Sequence, residues 1–181
     1  MKVFGIDPGS DRTGYGCVET DGSRHRLVDC GAITTLPRAT FPEKLLTIHR
    51  RLVELLARCQ PACVAIENVF YASNVRSALK LGHARGVAIL AAVEGGYPVV
   101  EYTPAEIKRA VVGYGRAEKR QVQEMVRLLL GLTSVPTPHD VADALAVAIC
   151  HVHSQGPTVD RGGPTKGKPR SWRQYKPERR T

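Results

Sequence analysis

Apolar residues along the chain fall into short runs and longer helical stripes, and their alternation predicts an ordered series of elements. Residues 1–7 form a brief, mostly apolar run that ends in Asp7 and reads as a strand. A Pro8-Gly9-Ser10-Asp11 turn separates it from a second strand over 14–20, and a third follows over 26–34. The short links favour an antiparallel meander. Over 41–59, Leu45, Ile48, Leu52 and Leu55 recur at spacings of three and four, the stripe of an amphipathic helix. Residues 63–67 are wholly apolar up to a terminal Glu67, the look of a buried parallel strand.

A second helix is expected over 73–93 and a fifth strand over 99–102. Thr103-Pro104-Ala105-Glu106 is a capping box with proline at the first helical position, so a helix starts there. Gly113-Tyr114-Gly115 breaks it, and another helix follows over 117–130. Thr137-Pro138 starts the last helix, which runs to about residue 153. The order β-β-β-α-β-α-β-α-α-α predicts an α/β fold. It combines three antiparallel strands and two α-linked parallel strands in one mixed five-stranded sheet, flanked by helices.

Composition narrows the picture. A chain of 181 residues suits one domain of about 150 residues plus a short extra piece, and 43% hydrophobic content argues against wholesale disorder. No apolar run approaches the roughly 20 residues of a membrane span, and the N-terminus lacks the basic start and long apolar stretch of a signal peptide. A cytoplasmic protein is expected. The five cysteines (Cys17, Cys30, Cys59, Cys63, Cys150) are scattered and form no C-x-x-C pair, so they read as packing thiols.

The charge is unevenly placed. Of the net +9, residues 154–181 carry +6, from eight basic side chains against Asp160 and Glu178. That stretch is rich in Gly and Pro and almost free of aliphatic residues. It is expected to be a disordered tail beyond a domain over 1–153, either a phosphate-binding arm or a spacer.

Four carboxylates stand at the ends of the predicted elements. Asp7 closes the first strand and Glu67 the fourth. Asp140 and Asp143 share one side of the first turn of the last helix. If strands one and four are neighbours, all four acids converge on one pocket, where they would repel one another unless cations sit between them. Hard oxygen donors suit Mg²⁺ or Mn²⁺, and two such ions about 4 Å apart serve phosphodiester cleavage. Each acid also has a plainer reading. Asp7 can belong to a turn, Asp140 to a capping box with Thr137, and Asp143 can favour the helix dipole. Glu67 is hardest to dismiss, because an acid directly after Cys-Val-Ala-Ile is costly without a partner. Gly113-Tyr114-Gly115 lacks the ending of a phosphate-binding loop, and His151 and His153, two apart at a helix end, read as solvated.

Gly5-Ile6-Asp7-Pro8-Gly9-Ser10 with Thr13-Gly14-Tyr15-Gly16 resembles the opening of the RuvC family of Holliday junction resolvases. Further matching segments follow in order: Ile66-Glu67-Asn68-Val69-Phe70, Ser77-Ala78-Leu79-Lys80-Leu81-Gly82 with Ala84-Arg85-Gly86, Glu101-Tyr102-Thr103-Pro104, Ala117-Glu118-Lys119, and Asp140-Val141-Ala142-Asp143-Ala144-Leu145-Ala146. The resemblance covers about residues 1–153.

It implies an RNase H-like fold and a homodimer that makes paired, symmetric, Mg²⁺-dependent nicks in a four-way DNA junction. The products would carry 5′-phosphate and 3′-hydroxyl ends. It further implies that Asp7, Glu67, Asp140 and Asp143 are metal ligands, with two ions per site and Mn²⁺ able to substitute. Lys108 and Lys119 match positions near the scissile phosphate, with Lys119 stabilising transition-state charge. Phe70 matches a base-stacking aromatic, and Arg76 and Lys80 could contact the DNA backbone. His139 lies about 100° of helix rotation from Asp140 and is read as outside the ligand set. Ala78, Gly82 and Gly86 form a row of small residues that lets another backbone approach, either across the dimer or in the helix's own sheet. The family acts with a branch-migration motor, an expected partner. Two rival classes are weaker. An actin-like ATP-binding protein needs two domains. A junction-binding protein that does not cut would be expected to lack at least one of the four acids.

Overall fold

A computed structural model describes residues 1–68 and 74–155. The strands are β1 (Lys2–Asp7), β2 (Arg12–Thr20), β3 (His25–Thr34), β4 (Cys63–Glu67) and β5 (Val99–Tyr102). The helices are α1 (Phe41–Cys59), α2 (Val75–Glu94), α3 (Pro104–Val112), α4 (Lys119–Leu129) and α5 (His139–Ser154). The sheet order is β3-β2-β1-β4-β5, antiparallel on the β2 side of β1 and parallel from β1 to β5. This is the mixed sheet expected from the sequence.

Element ends differ where local hydrogen bonds decide them. β2 begins two residues earlier than expected, because Arg12 pairs with Thr34. α2 begins at Val75, where the Asn74 side chain accepts from the Arg76 N–H at 2.8 Å. α4 begins at Lys119, because the Gln121 side chain accepts from the Glu118 N–H at 2.8 Å. α5 is capped by Pro138 with no side-chain cap bond, so the expected Thr137 cap and the capping-box reading of Asp140 both fall. The expected box at α3 is present, with Thr103 N–H donating to Glu106 Oε2 at 2.8 Å.

Each sheet face carries its own core. Phe4, Ile6, Val64 and Ile66 point to α1 and α2, where Ile48, Leu52, Leu55 and Ala88 meet them. Val3, Val18, Cys63 and Ala65 point to α3, α4 and α5. The amphipathic α1 buries the predicted face from Ile48 to Leu55. Cys17, Cys59, Cys63 and Cys150 are buried free thiols, and Cys30 is half-buried, in keeping with packing roles.

α5 is different in kind. Val141, Ala142 and every residue from Ala144 to His151 are buried. One side of it lies on the backbone of β1 and β2, because glycine occupies the positions beneath. A Cβ on Gly5 would sit 2.0 Å from the Ala144 carbonyl oxygen, and one on Gly16 would sit 2.4 Å from Leu145 Cδ2. Gly5 and Gly16 face each other across the two strands, so the glycines form one continuous shallow track.

Because the atoms nearest Gly5 are helix backbone, relief there requires α5 to move. Gly5→Ala is expected to destabilise the protein by about 1–3 kcal/mol, lowering Tm by roughly 2–12 °C for a domain of this size. Thermal unfolding by calorimetry checks this, and an unchanged Tm would show that the helix does not rest on the strand.

Candidate active site

The track places the acids. Along β1, Val3, Gly5 and Asp7 share the face toward α5, and along β4 so do Cys63, Ala65 and Glu67. The strands run parallel with Ile6 beside Ile66, so Asp7 and Glu67 emerge side by side at the same sheet edge. Asp7 lies opposite Gly14 on β2. A Cβ on Gly14 would stand 2.0 Å from the Asp140 carbonyl oxygen, so only glycine lets the first turn of α5 settle there. Asp140 and Asp143, three apart, then look over the ends of β1 and β4.

A pocket of about 330 Å³ results, lined by Asp7, Glu67, Asp140, Asp143, Lys108 and Lys119, with Ile107 and Val122 in its wall. All four predicted acids and both predicted lysines are therefore together. Lys119 Nζ is 2.6 Å from Asp143 Oδ2, and Arg12 Nη1 is 3.5 Å from Asp140 Oδ2.

The site is short of positive charge. Burial, and then the negative charges of Glu67, Asp143 and Asp140, push the Asp7 carboxyl up to about 8. Burial and Asp143 also raise Glu67, against the pull of Lys119 and Lys108. Burial opposes the charge on Lys119, but its bond to Asp143 and the charges of Asp143, Asp7 and Asp140 raise its pKa. Four hard carboxylate oxygen donors suit Mg²⁺ or Mn²⁺ better than a softer metal. Among the described residues, no three His, Cys, Asp or Glu side chains already close on one point. Asp143 and Asp140 instead rest on Lys119 and Arg12, and would turn from these partners to share a cation.

The other expected residues lie elsewhere. Arg76 and Lys80 are exposed near the start of α2, outside the pocket, with Lys80 Nζ 5.9 Å from the centre of the Phe41 ring. Phe70 lies outside the described residues. His139 is exposed, its Nδ1 lies 2.9 Å from Gln123 Nε2, and it is not among the residues lining the pocket. His151 corrects the sequence reading. It is buried rather than solvated, because α5 turns it inward to the Tyr102 hydroxyl at 2.8 Å. Two contributions escaped sequence reasoning. Arg12 falls between the expected turn and the expected second strand, where the sequence assigns it no role. The glycines at 5, 14 and 16 lie inside the expected strands, and their part in seating α5 appears only when the helix is seen against them.

The family model of the crossover junction endodeoxyribonuclease RuvC matches residues 3–151. The chain belongs to the RuvC family. The RuvC crossover junction endodeoxyribonuclease of Citrifermentans bemidjiense is 55% identical over 156 residues, 86% of this chain and 94% of that protein. The corresponding enzyme of Chloroflexus aggregans is 52% identical over 163 residues, 90% of this chain and 99% of that one. The structure of Thermus thermophilus RuvC in complex with a Holliday junction substrate matches with a TM-score of 0.82 and 40% identity, covering 86% of this chain and 94% of the other. The RuvC fold is RNase H-like, as expected.

The raised carboxyl of Asp7 has a measurable sign. Its folded pKa of about 8 exceeds the ordinary 3.8, so between those values the folded state holds a proton that the unfolded state has released. Its contribution to stability is present at low pH and is lost as pH rises toward 8. In EDTA, Asp7→Asn is therefore expected to raise Tm at pH 8 by roughly 2–8 °C, the shift that about 1–2 kcal/mol gives at this size. The gain should shrink markedly by pH 5. Paired melts at the two pH values test it, and a gain independent of pH would contradict it.

Proposed function

We propose that this chain resolves four-way DNA junctions in recombination and repair by paired, symmetric nicks that leave 5′-phosphate and 3′-hydroxyl ends. The observation that carries the reading is the gathering of four carboxylates and two lysines in one pocket of a RuvC-family fold. The structure of a relative with a Holliday junction substrate supports the choice of DNA.

Asp7, Glu67, Asp140 and Asp143 are the residues that would hold the divalent cations, Mg²⁺ with Mn²⁺ as substitute, two per site. Bound there, such ions polarise the phosphate and activate water for hydrolysis. The protein's own groups do the rest. Lys119, bonded to Asp143 in the free site, is released when that carboxylate takes a new partner, and its ammonium then meets the scissile phosphate. Lys108, also in the pocket lining, would hold a neighbouring phosphate. Phe70, Arg76 and Lys80 would contact DNA beyond the pocket. The basic stretch over 154–181 would add affinity that depends on salt.

A second copy completes the machine. Ala78, Gly82 and Gly86 line a shallow groove on α2 beside Leu79 and Leu90. A Cβ on Gly82 or Gly86 would meet nothing within 4 Å, so these glycines do not serve packing on the helix's own sheet. Exposed Leu79, Leu90 and Val93 supply apolar area for a two-fold partner. A C2 dimer would present two equivalent pockets to a two-fold symmetric junction. Among the described residues no helix is long and apolar enough to cross a membrane, and we place the protein in the cytoplasm, working beside a branch-migration motor.

Cleavage of a synthetic four-way junction, beside a linear duplex of the same sequence, tests the reading. In Mg²⁺, paired nicks are expected on the junction alone, and none in EDTA. Asp7→Asn should lower cleavage by about 10²–10³-fold, the scale of losing a group that stabilises developing charge. It should still bind the junction in Ca²⁺, because affinity comes mainly from basic contacts. Tight junction binding by the unaltered protein without cutting in any divalent metal would favour a binding protein instead.

A further inference from the structure

At the end of α5 far from the acids, two histidines meet. His25 opens β3 and His153 stands one residue before the end of α5, with their Nε2 atoms 3.0 Å apart. Thirteen residues of helix, about 20 Å, separate His153 from Asp140.

Hydrogen-bond accounting fixes what faces what. His153 Nδ1 is 2.8 Å from the Ala110 carbonyl oxygen. A carbonyl only accepts, so Nδ1 carries the proton and neutral His153 offers a bare Nε2. Thr20 Oγ1 has one proton and two lone pairs. It donates to the Arg24 carbonyl at 3.1 Å and accepts from the Gly22 N–H at 3.0 Å. With its proton on the Arg24 carbonyl, the second lone pair of Thr20 Oγ1 is open to a protonated His25 Nδ1, 3.1 Å away. Neutral His25 in this tautomer also offers a bare Nε2. In that tautomer two nitrogen lone pairs face each other at 3.0 Å, the arrangement a shared metal ion requires, whereas with the Thr20 proton turned to His25 Nδ1 the His25 Nε2–H donates to His153 Nε2.

We propose that His25 and His153 form a binding site for a borderline-soft divalent transition metal, with Zn²⁺ as its representative. Zinc bonds imidazole nitrogen at 2.0–2.1 Å, and a tetrahedral angle then spans a nitrogen separation of about 3.3 Å, within 0.3 Å of the separation found. Each ligand already has its other ring nitrogen held by a carbonyl or hydroxyl, the support that orients metal-binding histidines. The recess around the pair also holds Gln155 and opens to solvent, leaving the remaining coordination positions for water. Imidazole donors separate this site chemically from the all-oxygen pocket, which suits Mg²⁺. An ion here ties the β2–β3 turn to the end of α5.

The test titrates Zn²⁺ into the metal-stripped full chain while following the imidazole ring signals by NMR, with Mg²⁺ in a parallel titration. The His25 and His153 signals should move together with Zn²⁺ at micromolar concentration and stay fixed with Mg²⁺. His25→Gln and His153→Gln should each weaken this binding at least tenfold, while retaining the wild-type circular dichroism spectrum and Mg²⁺-dependent junction cleavage. Ring signals that respond to pH but not to Zn²⁺ would show that a shared proton fills the gap, and would overturn the proposal. Zn²⁺ binding undiminished in both variants would do the same.

Discussion

Helix α5 lies on bare backbone, and the rest of the molecule depends on that contact. A helix normally stands off a sheet by the thickness of its side chains. Here Gly5, Gly14 and Gly16 remove that thickness along one line, so helix carbonyls and Cβ atoms of α5 come into van der Waals range of β1 and β2. The closeness is held by burial. Leu145 and Ile149 are fully buried between the sheet and the α3–α4 layer, each worth about 1.5–3 kcal/mol. Core packing on one face thus sets the position of the two acids at the other end of the same helix.

That position has an electrostatic cost. Bringing Asp140 and Asp143 over Asp7 and Glu67 gathers four acids around two lysines and Arg12, and the strain appears where burial is greatest, on Asp7. A site tuned only for stability would have put apolar residues or matched pairs there. This one stores a demand for cations, partly met by Lys119 on Asp143 and Arg12 on Asp140. Lys119 serves the free site as a counter-ion, and under the proposed function the same lysine becomes a phosphate contact. The opposite end of α5 repeats the theme in another chemistry, with two histidine nitrogens aimed at one gap.

Much of this was legible in the residues. Strand and helix order followed from apolar periodicity, because α1 and the buried strands have unmixed patterns. Glu67 stood out because an acid ending a wholly apolar strand needs a reason. The pairing of β1 with β4 was a plausible guess whose confirmation brought Asp7 beside Glu67. What the sequence hid were relations across distance. Arg12 is 128 residues from its partner Asp140. His151 sits in a nearly all-apolar helix, so periodicity could not say that it turns inward. The glycine track has no meaning until a helix is laid on it, and the outward aim of Gly82 and Gly86 appears only when their surroundings are found empty.

The central claim is that the close approach of α5 positions the acids for catalysis. Gly14→Ala tests it most directly. The added methyl group would press on the Asp140 carbonyl at the first turn of α5, where the helix can yield without unfolding. Single-turnover cleavage of a four-way junction in Mg²⁺ and junction affinity in Ca²⁺ would be measured side by side. A displacement of about 1 Å predicts a loss of roughly 10²-fold in cleavage rate with affinity kept within a few-fold. Wild-type cleavage by a folded Gly14→Ala protein would contradict the account.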